Sequence, residues 1–414
     1  MEGAVKQPVI LRSKSLRDSV SIELPYSKSM ANRILLMEAL SLGKVTSPDR
    51  CEAEDCLWLS KALRKRSGEL WMGEGAAPMR FALAWAALSP GKRVITGSER
   101  LCQRPMAPLV EALRQVGAEI HCPGVEGYAP FEVAGRELQS RVLEIDASRS
   151  SQYCSALMLI APYIAGGLEI HLKGRVASQA YLELTARLMR MAGAGVTANF
   201  DSGRIQVAEG GYMPIEIALE RDWSGAAFFY TLAALSPGMR IQLPGLSPKS
   251  LQGDAVCASL YRALGVQSHF ERGSTFIEGD GATGHKVEED FSNCPDLALP
   301  FATACAGLKI PAHLSGLHTL PFKESNRIDD LVTELESCGV SCSHDEAHIG
   351  LDSFKEVEGY PLIRTYKDHR MAMAFAPMAR VFGQIGIDDA AVVAKSFPHF
   401  WKEMEKVFEL WYPA

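Results

Sequence analysis

The sequence lacks the features that mark several classes of protein. Its ten cysteines include no CxxC pair, and no histidine pair accompanies them at zinc-finger spacing, so a structural metal site is not expected. No apolar run is long and uninterrupted enough to span a bilayer. The net charge of −6 argues against a partner that is nucleic acid or an anionic membrane. Low-complexity segments and a Pro/Gly/Ser-rich linker are also absent.

What is present is typical of a globular protein of the cytoplasm. Hydrophobic residues make up 47% of the 414 residues and charged residues 22%. The N-terminal stretch has no long apolar core, so we expect no signal peptide, and we expect reduced cysteines that act as small hydrophobic residues. A chain of this length exceeds what one core usually supports, which predicts two domains.

Glycines that end predicted helices recur at regular intervals. One series, 76, 72 and 74 residues apart, consists of Gly117, Gly193, Gly265 and Gly339. A second series of helix–glycine–strand joints alternates with it, at Gly43, Gly91, Gly167, Gly238, Gly307 and Gly383. Glycine is the expected C-cap because the left-handed conformation costs it little. With β-rich runs between the joints, the series predict an α/β protein of about six repeated units, three in each domain.

Three prolines fall within segments that otherwise have a helical pattern. Proline is tolerated in the first turn of a helix but costs about 3 kcal/mol in its interior. We expect Pro300 in a first turn, and a kink or an early helix end at Pro162 and Pro377.

The motif SKSMANR places charged and hydroxyl side chains at the start of a predicted helix. Ser27 is the expected N-cap, and Lys28, Ser29 and Arg33 follow on the first two turns. The free amides and the dipole of a helix start favour an anion there. Taken alone, the motif also fits a solvated charge pair.

Other predicted helix starts repeat this composition. Ser150, Ser151 and Gln152 head one helix, where N-capping explains one serine and not three polar side chains. Arg104 precedes Pro105, which we expect in a first helical position. Asp296 precedes an apolar helix and is either its N-cap or a general base.

The C-terminal half adds the densest group of charges. Lys323, Glu324 and Arg327 lie within five residues, at the start of a helix whose buried stripe we expect to be Ile328, Leu331, Val332 and Leu335. Asp368 is an expected cap followed by His369 and Arg370, and Lys395 lies in a later motif. Six cations are therefore predicted near helix starts, where ligands of open α/β proteins bind: Lys28, Arg33, Arg104, Arg327, Arg370 and Lys395. They predict small substrates that carry two or three anionic groups.

These motifs, taken in order, resemble those of one enzyme family. PYSKSMANR, RSSQY, PFKESNRI, YKDHRMAMAFA and AKSFP are similar to motifs of the 5-enolpyruvylshikimate-3-phosphate synthases, from about residue 22 to 405. The resemblance implies the two-domain enolpyruvyl-transferase fold, an α/β fold in which each domain has three βαβαββ-type repeats (an inside-out α/β barrel) and the active site lies in the interdomain cleft. It implies one domain of residues 26–220 and another of residues 1–25 with 221–414.

The resemblance also implies a reaction. The 5-hydroxyl of shikimate 3-phosphate attacks C2 of phosphoenolpyruvate while C3 is protonated, and the tetrahedral intermediate then loses phosphate. The family needs no metal or organic cofactor, because positioning and charge stabilisation suffice. The expected partners are these two small-molecule substrates, without nucleic acid or membrane, and a monomer is expected.

The resemblance assigns roles to individual residues. Asp296 and Glu324 are the acid–base candidates, with Asp296 accepting the hydroxyl proton and Lys28 assisting. The implied contacts to shikimate 3-phosphate are Lys28, Ser29, Arg33, Ser150, Ser151, Gln152, Ser178, Tyr181, Asp296 and Lys323. The implied contacts to phosphoenolpyruvate are Lys28, Ala76, Arg104, Gln152, Arg327, Arg370 and Lys395.

The sequence departs from the family pattern at residues 74–80, which read EGAAPMR where family members usually show NAGTAMR. Ala76 replaces a glycine that approaches phosphoenolpyruvate, and Ala77 replaces a threonine. Alanine at this glycine resembles the glyphosate-tolerant members, so we expect weakened inhibition by glyphosate. Two further departures bear on substrate affinity and not on the reaction. Thr319 stands where family members often have an asparagine that binds the shikimate moiety, and Asn326 stands where aspartate is common.

Two alternatives remain open from the sequence. The sister enzyme that transfers enolpyruvyl to UDP-N-acetylglucosamine shares the fold and has a reactive cysteine in the loop before the arginine; Cys102 lies two residues before Arg104, closer than that family places it. A non-catalytic homologue that binds a phosphorylated ligand is suggested by the altered 74–80 loop.

Overall fold

A computed structural model of the chain describes residues 6–15, 17–148, 150–281 and 285–413. Its strands alternate with helices along the chain, which confirms the predicted α/β class. The strands are β1 (Val9–Ser13), β2 (Ser19–Ser21), β3 (Val45–Thr46), β4 (Gly68–Trp71), β5 (Gly91–Thr96), β6 (Glu119–His121), β7 (Phe131–Gly135), β8 (Val142–Asp146), β9 (Leu168–Lys173), β10 (Val196–Asn199), β11 (Arg204–Val207), β12 (Ile215–Glu216), β13 (Arg240–Pro244), β14 (Val266–Glu271), β15 (Ser274–Gly279), β16 (Val287–Asp290), β17 (Ala312–Ser315), β18 (Val340–His344), β19 (Ile349–Phe354), β20 (Leu362–Ile363), β21 (Gln384–Ile387) and β22 (Phe408–Trp411).

The α-helices range from four to thirteen residues in length. They are α1 (Lys28–Leu40), α2 (Glu54–Leu63), α3 (Ala76–Leu88), α4 (Glu99–Cys102), α5 (Ala107–Gln115), α6 (Ser151–Ile160), α7 (Gln179–Met191), α8 (Trp223–Ala234), α9 (Cys257–Leu260), α10 (Ala298–Gly307), α11 (Arg327–Ser337), α12 (His369–Phe375), α13 (Ala379–Phe382) and α14 (Phe400–Met404). Short 3₁₀ helices cover Ala161–Tyr163, Gly253–Val256, Tyr261–Leu264, Pro295–Leu297, Leu320–Phe322, Ala376–Met378 and Ala390–Lys395. Over the described ranges, no helix has both the length and the apolar character that crossing a membrane requires.

The strands form sheets of one repeated design. Five four-stranded sheets in the described ranges have the orders β4-β5-β7-β6, β8-β9-β11-β10, β2-β13-β15-β14, β16-β17-β19-β18 and β20-β21-β1-β22. In each of them the first pair is parallel and the other two pairs are antiparallel. Such a sheet, with its helical connections, has the strands of one βαβαββ unit; in two of the sheets one strand, β1 or β2, comes from the start of the chain.

The sixth predicted unit differs from the other five. It keeps only a two-stranded parallel sheet, β3 with β12, in the part of the chain that the structure describes. After α2 ends at Leu63, the chain enters β4 of the next sheet at Gly68. Those few residues leave no room for the hairpin that completes the other sheets, so this unit is a shorter version of the repeat.

The sheets are divided between two compact units of the chain. The larger unit contains the described residues up to Pro25 and from Glu220 onward, and the smaller unit is Tyr26–Leu219. The larger unit holds the sheets that begin with β2, β16 and β20 in the orders above. The smaller unit holds the sheets that begin with β4 and β8 and the β3–β12 pair.

Each unit has three inner helices that pack on one another: α8, α10 and α12 in the larger unit, and α1, α3 and α6 in the smaller one. These helices are mostly buried; eleven of the thirteen residues of α3 and nine of the ten of α10 are inaccessible. A helix that is hydrophobic on all sides is typical of a buried core. Because most positions along such a helix face other apolar groups, polar side chains of these helices are concentrated near their N-terminal ends.

The proline and glycine predictions are largely confirmed. Pro300 lies in the first turn of α10, whereas α6 and α12 end before Pro162 and Pro377, each of which lies in a 3₁₀ helix. The first glycine series has left-handed φ values between 74° and 100° throughout. Gly307 is an exception, because it is the last residue of α10 and Lys309 takes the left-handed conformation instead, with φ 55°. A Cβ at Gly307 would lie 2.5 Å from Leu235, so close packing explains this glycine.

The ten cysteines all lie in the described ranges and carry free thiols; eight are buried and two, Cys102 and Cys342, are partly exposed. Burial raises the pKa of the Cys154 thiol to about 12, which keeps this thiol protonated and unreactive. These locations agree with the expectation that cysteine acts here as a small hydrophobic residue.

The end of β7 gives a test of backbone packing in the smaller unit. A Cβ at Gly135 would lie 1.7 Å from the carbonyl oxygen of Ser89, just after α3, and that backbone cannot move without shifting the helix. We expect Gly135→Ala to lower the free energy of unfolding by about 1–3 kcal/mol, the usual range for overpacking. Gly124→Ala is the matched control, because a Cβ there meets nothing within 4 Å. Equal thermal unfolding midpoints of the two variants would contradict the close approach.

Candidate functional site

Arg327 lies at the centre of an ion cluster in the larger unit. It is the first residue of α11 and only 1% exposed. Its guanidinium group donates to Asp368 (Nε–Oδ2 2.6 Å and Nη2–Oδ1 3.1 Å), to Asp296 (Nη1–Oδ1 2.7 Å) and to Glu324 (Nη2–Oε2 3.0 Å). Burial alone would lower the pKa of Arg327, but the three carboxylates outweigh it and raise the pKa. The group therefore stays charged although it is buried.

Asp296 joins Arg327 to two further cations. Its carboxylate lies 3.2 Å from Lys323 Nζ and 3.2 Å from Arg370 Nη2. Burial favours the neutral acid, but Arg370, Lys323 and Arg327 outweigh it and hold the pKa of Asp296 well below its usual range. The expectation that Asp296 is an N-cap is wrong: it lies in the 3₁₀ helix Pro295–Leu297, and Leu297 occupies the cap position of α10. Three nearby cations compete with the helix amides for this carboxylate.

Lys395 completes the cluster through Glu324. Its Nζ lies 2.6 Å from Glu324 Oε1, and the lysine side chain is 8% exposed. Lys395 ends the 3₁₀ helix Ala390–Lys395, so the prediction that it lies at a helix start is wrong. The larger-unit cluster thus contains four cations and three carboxylates: Lys323, Arg327, Arg370 and Lys395 with Asp296, Glu324 and Asp368. Its excess of one positive charge suits an anionic ligand.

Asp368 is more than the cap that the sequence predicts. Its Oδ1 accepts a hydrogen bond from the Arg370 amide at 2.9 Å, which confirms the cap, and the same carboxylate holds Arg327. The residue is fully buried, and His369 Nδ1 lies 3.5 Å from its Oδ1. A second buried acid, Asp254, contacts the hydroxyl of Ser224, and burial raises its pKa. The sequence gives no signal for Asp254, which lies in a short polar segment.

Arg33 is a buried cation in the smaller unit, 3% exposed. Its hydrogen bonds go to neutral groups: Thr185 Oγ1 (2.7 Å), Ser29 O (2.7 Å), Tyr181 O (3.2 Å) and Ser155 Oγ (3.3 Å). Burial lowers the pKa of Arg33 to about 10. A buried charge is costly unless an opposite charge compensates it, so this arrangement suits an arriving anion. Sequence reasoning missed Thr185 and Ser155, because they lie on two other helices.

Lys28 forms an ion pair with Asp55, with 2.8 Å between Nζ and Oδ2. Asp55 is 4% exposed and lies in the first turn of α2. Sequence reasoning missed it, although an acid in a first helical turn is a signal for a helix start. Ser27 is at the N-cap position of α1 as predicted, but its buried hydroxyl makes no side-chain cap bond and has no hydrogen-bond partner among the described residues.

The starts of α6 and α7 carry the remaining polar residues. Ser150 caps α6, and its Oγ accepts from the Gln152 amide at 3.2 Å. Ser151 is buried, and Gln152 Oε1 accepts a hydrogen bond from Arg80. Ser178 occupies the N-cap position of α7 with a left-handed φ of 53°, a conformation that is uncommon for serine.

Two predicted site residues of the smaller unit lie in or next to the loops that precede α3 and α5. Ala76 is the first residue of α3 and is buried. Arg104 precedes α5, but Pro108 rather than Pro105 lies in its first turn, so the predicted helix start is wrong. The Met106 amide donates to the Gly127 carbonyl at 2.8 Å, which holds the chain in a loop until α5 begins.

The predicted site residues therefore fall into two groups, one in each unit. The larger-unit group is connected by ion pairs and contains Asp296, Lys323, Glu324, Arg327, Arg370 and Lys395. The smaller-unit group lies at or near the starts of helices and contains Lys28, Ser29, Arg33, Ala76, Arg104, Ser150, Ser151, Gln152, Ser178 and Tyr181. The ranges described contain no group of three or more His, Cys, Asp or Glu residues that could hold a metal ion.

Comparisons with known proteins agree on one family. The family model described as EPSP synthase (3-phosphoshikimate 1-carboxyvinyltransferase) matches residues 67–404. A 3-phosphoshikimate 1-carboxyvinyltransferase of Bacteroides fragilis is 38% identical over 388 residues, 93% of this chain and 94% of the relative. One of Shewanella amazonensis is 29% identical over 92% of this chain and 94% of the relative. A solved EPSP synthase structure from Acinetobacter baumannii, 21% identical, superposes with a TM-score of 0.79 over 99% of this chain and 100% of that one. The last match confirms the two-domain fold.

The role of Asp368 in holding Arg327 can be separated from its role as a cap. Asparagine caps a helix about as well as aspartate, so Asp368→Asn keeps the cap oxygen but removes the buried charge and one of the two oxygens that accept from Arg327. We expect a loss of about 3–5 kcal/mol in the free energy of unfolding, because Arg327 loses a buried partner. Asp389→Asn is the control: Asp389 caps Ala390–Lys395 near the surface, and we expect a change of at most about 0.5 kcal/mol. Chemical denaturation measures both, and similar losses would contradict the expectation.

Proposed function

The chain belongs to the EPSP synthase family, and on this premise we propose that its two groups of residues together transfer the enolpyruvyl group of phosphoenolpyruvate to the 5-hydroxyl of shikimate 3-phosphate. Phosphate is released, and the product serves the biosynthesis of aromatic amino acids. The observation that carries the proposal is the larger-unit cluster, in which four buried or part-buried cations face three carboxylates. Both substrates carry the anionic groups that such a site would bind.

The smaller unit would bind most of shikimate 3-phosphate. Arg33 and Ser29 would hold the phosphate, since Arg33 is a buried cation whose protein partners above are neutral. Polar groups at the starts of α6 and α7 would hold the ring hydroxyls: Ser150, Ser151, Gln152, Ser178 and Tyr181. Lys323 and Asp296 would add contacts from the larger unit. The buried Thr319 hydroxyl, which has no hydrogen-bond partner among the described residues, is available to the same substrate.

Phosphoenolpyruvate would be held by cations from both groups. Arg327, Arg370 and Lys395 would contribute from the larger unit, where they already face carboxylates. Lys28, Arg104, Gln152 and the backbone at Ala76 would contribute from the smaller unit. A carboxylate and a phosphate on one small molecule need several cations, and guanidinium groups bind both in bidentate geometry.

The reaction then needs one base and one acid. Asp296 would accept the proton of the 5-hydroxyl while the hydroxyl oxygen forms a bond to C2 of phosphoenolpyruvate. Glu324, with Lys28, would deliver a proton to C3. In the second step C3 would return a proton to Glu324, the double bond would re-form, and the bond between C2 and the phosphate oxygen would break, so that phosphate leaves. Charge stabilisation by the surrounding cations lowers both barriers. The atoms of both substrates are accounted for without a further reactant.

The proposal also covers the domain limits, the oligomeric state and the location of the protein. The two compact units would be the two domains, with limits at residues 25/26 and 220/221, the limits that the family resemblance implies. The protein would act as a monomer in the cytoplasm.

Phosphate release is the direct test of the proposed function. We expect the purified protein to release phosphate from phosphoenolpyruvate in the presence of shikimate 3-phosphate and not in the presence of UDP-N-acetylglucosamine. No release would favour the non-catalytic binding homologue. Release only with the UDP-sugar would favour the sister enzyme. Either result would overturn the proposal.

Asp296→Asn tests the base. We expect kcat to fall by about 10²- to 10⁴-fold, the usual contribution of a general base. The affinity for phosphoenolpyruvate, measured by calorimetry, should stay equal or increase, because one negative charge leaves a cationic site. Asp389→Asn serves as the control with unchanged kcat. A loss of affinity as large as the loss of kcat would show that Asp296 supports the site instead of taking the proton.

Ala76 gives a test of inhibitor discrimination. Its methyl group lies in the buried first turn of α3, at the position where the family usually has glycine. We expect weak inhibition by glyphosate in the natural protein and tighter inhibition in Ala76→Gly, because the methyl group narrows the pocket for phosphoenolpyruvate and its competitors. Inhibition constants at fixed phosphoenolpyruvate measure the change. An equal constant in both proteins would remove this explanation.

A further inference from the structure

Arg80 is a buried arginine that the sequence analysis did not place in the site. It lies in the second turn of α3 and is 5% exposed. Its Nη1 donates to the side-chain oxygen of Gln152, and its Nε has no hydrogen-bond partner among the described residues. The guanidinium group also covers the ring of Tyr153, 4.8 Å from the ring centroid. Both contacted side chains belong to the first turn of α6.

The contact fixes which end of the Gln152 amide is available to a ligand. A guanidinium group can only donate hydrogen bonds, whereas an amide side chain has one accepting end and one donating end. Oε1 must therefore face Arg80, and the NH₂ group must point away from it. Without Arg80, the two ends of this nearly symmetric amide could exchange at little cost. Arg80 thus makes Gln152 a donor toward the site.

The same arginine is connected to the loop that carries Arg104. The hydroxyl of Tyr153 donates to the carbonyl oxygen of Pro105 at 2.6 Å. Pro105 directly follows Arg104, so the ring stacked on Arg80 also holds the backbone of this loop. One buried side chain therefore connects α3 with two candidate binding residues.

Arg93 shows what a purely structural arginine of the same unit looks like. It is 3% exposed and stacks on Trp85, with 4.3 Å to the ring centroid. Its hydrogen bonds go to backbone carbonyls, those of Lys65, Ser89 and Pro90. Arg80 is likewise buried and stacked on an aromatic ring, but its hydrogen bond goes to the side chain of Gln152, a residue of the candidate site.

We propose that Arg80 is a positioning residue, which orients the Gln152 amide as a donor toward phosphoenolpyruvate and steadies the Arg104 loop through Tyr153. The inference rests on the proposed function, because that function makes Gln152 and Arg104 substrate contacts. Arg80 itself touches no reacting atom in this scheme. Its contribution reaches the substrate through Gln152 and Tyr153.

A double-mutant cycle tests the coupling. We expect Arg80→Met and Gln152→Ala each to lower kcat/KM for phosphoenolpyruvate by about 10- to 100-fold, the size of a lost hydrogen bond to a charged group. The double variant should lose clearly less than the product of the two single losses, since the part of the Arg80 effect that acts through Gln152 is already absent in Gln152→Ala. Arg80→Lys keeps a donor for Oε1 and should retain more activity than Arg80→Met. Arg93→Met is the control with unchanged kcat/KM. Multiplied effects in the double variant, or an equal loss in the control, would overturn the proposal.

A second measurement works without turnover. In protein labelled with ¹⁵N-glutamine, the Gln152 amide signals are identified by their absence from Gln152→Ala. We expect them to shift in Arg80→Met and to stay in place in Arg93→Met, and unchanged signals in Arg80→Met would overturn the inference. The two proposals can fail separately. If the natural protein releases no phosphate but its Gln152 signals still move in Arg80→Met, the proposed function is refuted and the orientation of Gln152 by Arg80 is supported.

Discussion

The larger unit depends on the burial of Arg327, which is possible only because three carboxylates surround its guanidinium group. Those carboxylates are in turn stable in the core because further cations face them. Removing one member takes a partner from a buried or part-buried charge, and breaking a buried ion pair in this way costs more than the pair contributes. Because Arg327 is the first residue of α11, its ion pairs connect the start of α11 with the cap of α12 at Asp368 and with Asp296 before α10. A site with so many charges can therefore be rigid before a ligand arrives.

The inner helices explain why these charges lie where they do. Helices α8, α10 and α12 pack on one another with apolar faces, as α1, α3 and α6 do in the smaller unit. Most of their length has no room for charge, and their first turns offer free amides that favour polar groups. The two units nevertheless differ in the groups that surround their buried cations. The larger-unit cluster compensates all but one positive charge internally, whereas Arg33 is surrounded by hydroxyl and carbonyl oxygens.

Local signals in the sequence predicted much of this arrangement, and distant pairings account for what was missed. Left-handed glycines and helix-ending prolines depend mainly on a few neighbouring residues, so most of their positions could be predicted directly, with Gly307 and Pro105 as exceptions. Arg327 and Asp368 are 41 residues apart, and Arg33 and Thr185 are 152 apart; a one-dimensional pattern does not specify such partners. At Asp296 a distant pairing overrides a local signal. The local pattern predicts a helix cap, but the carboxylate forms ion pairs with three cations that the fold brings close to it. The reduced sheet of β3 and β12 did have a local signal: Gly43 and Gly91 are 48 residues apart, whereas the later glycines of the same series are 69 to 76 residues apart.

The charge balance also determines how Asp296 can act as a base beside three cations, Arg370, Lys323 and Arg327. In the free protein those cations hold the pKa of Asp296 so low that the carboxylate is a weak base. If an anionic substrate binds Arg327, Arg370 and Lys323, part of their field is neutralised, and we expect the pKa of Asp296 to rise. The carboxylate would thus gain basicity only when the anion is in place. In this scheme the excess positive charge does more than attract the substrate: it keeps the base inactive until binding, which couples proton transfer to occupancy of the site.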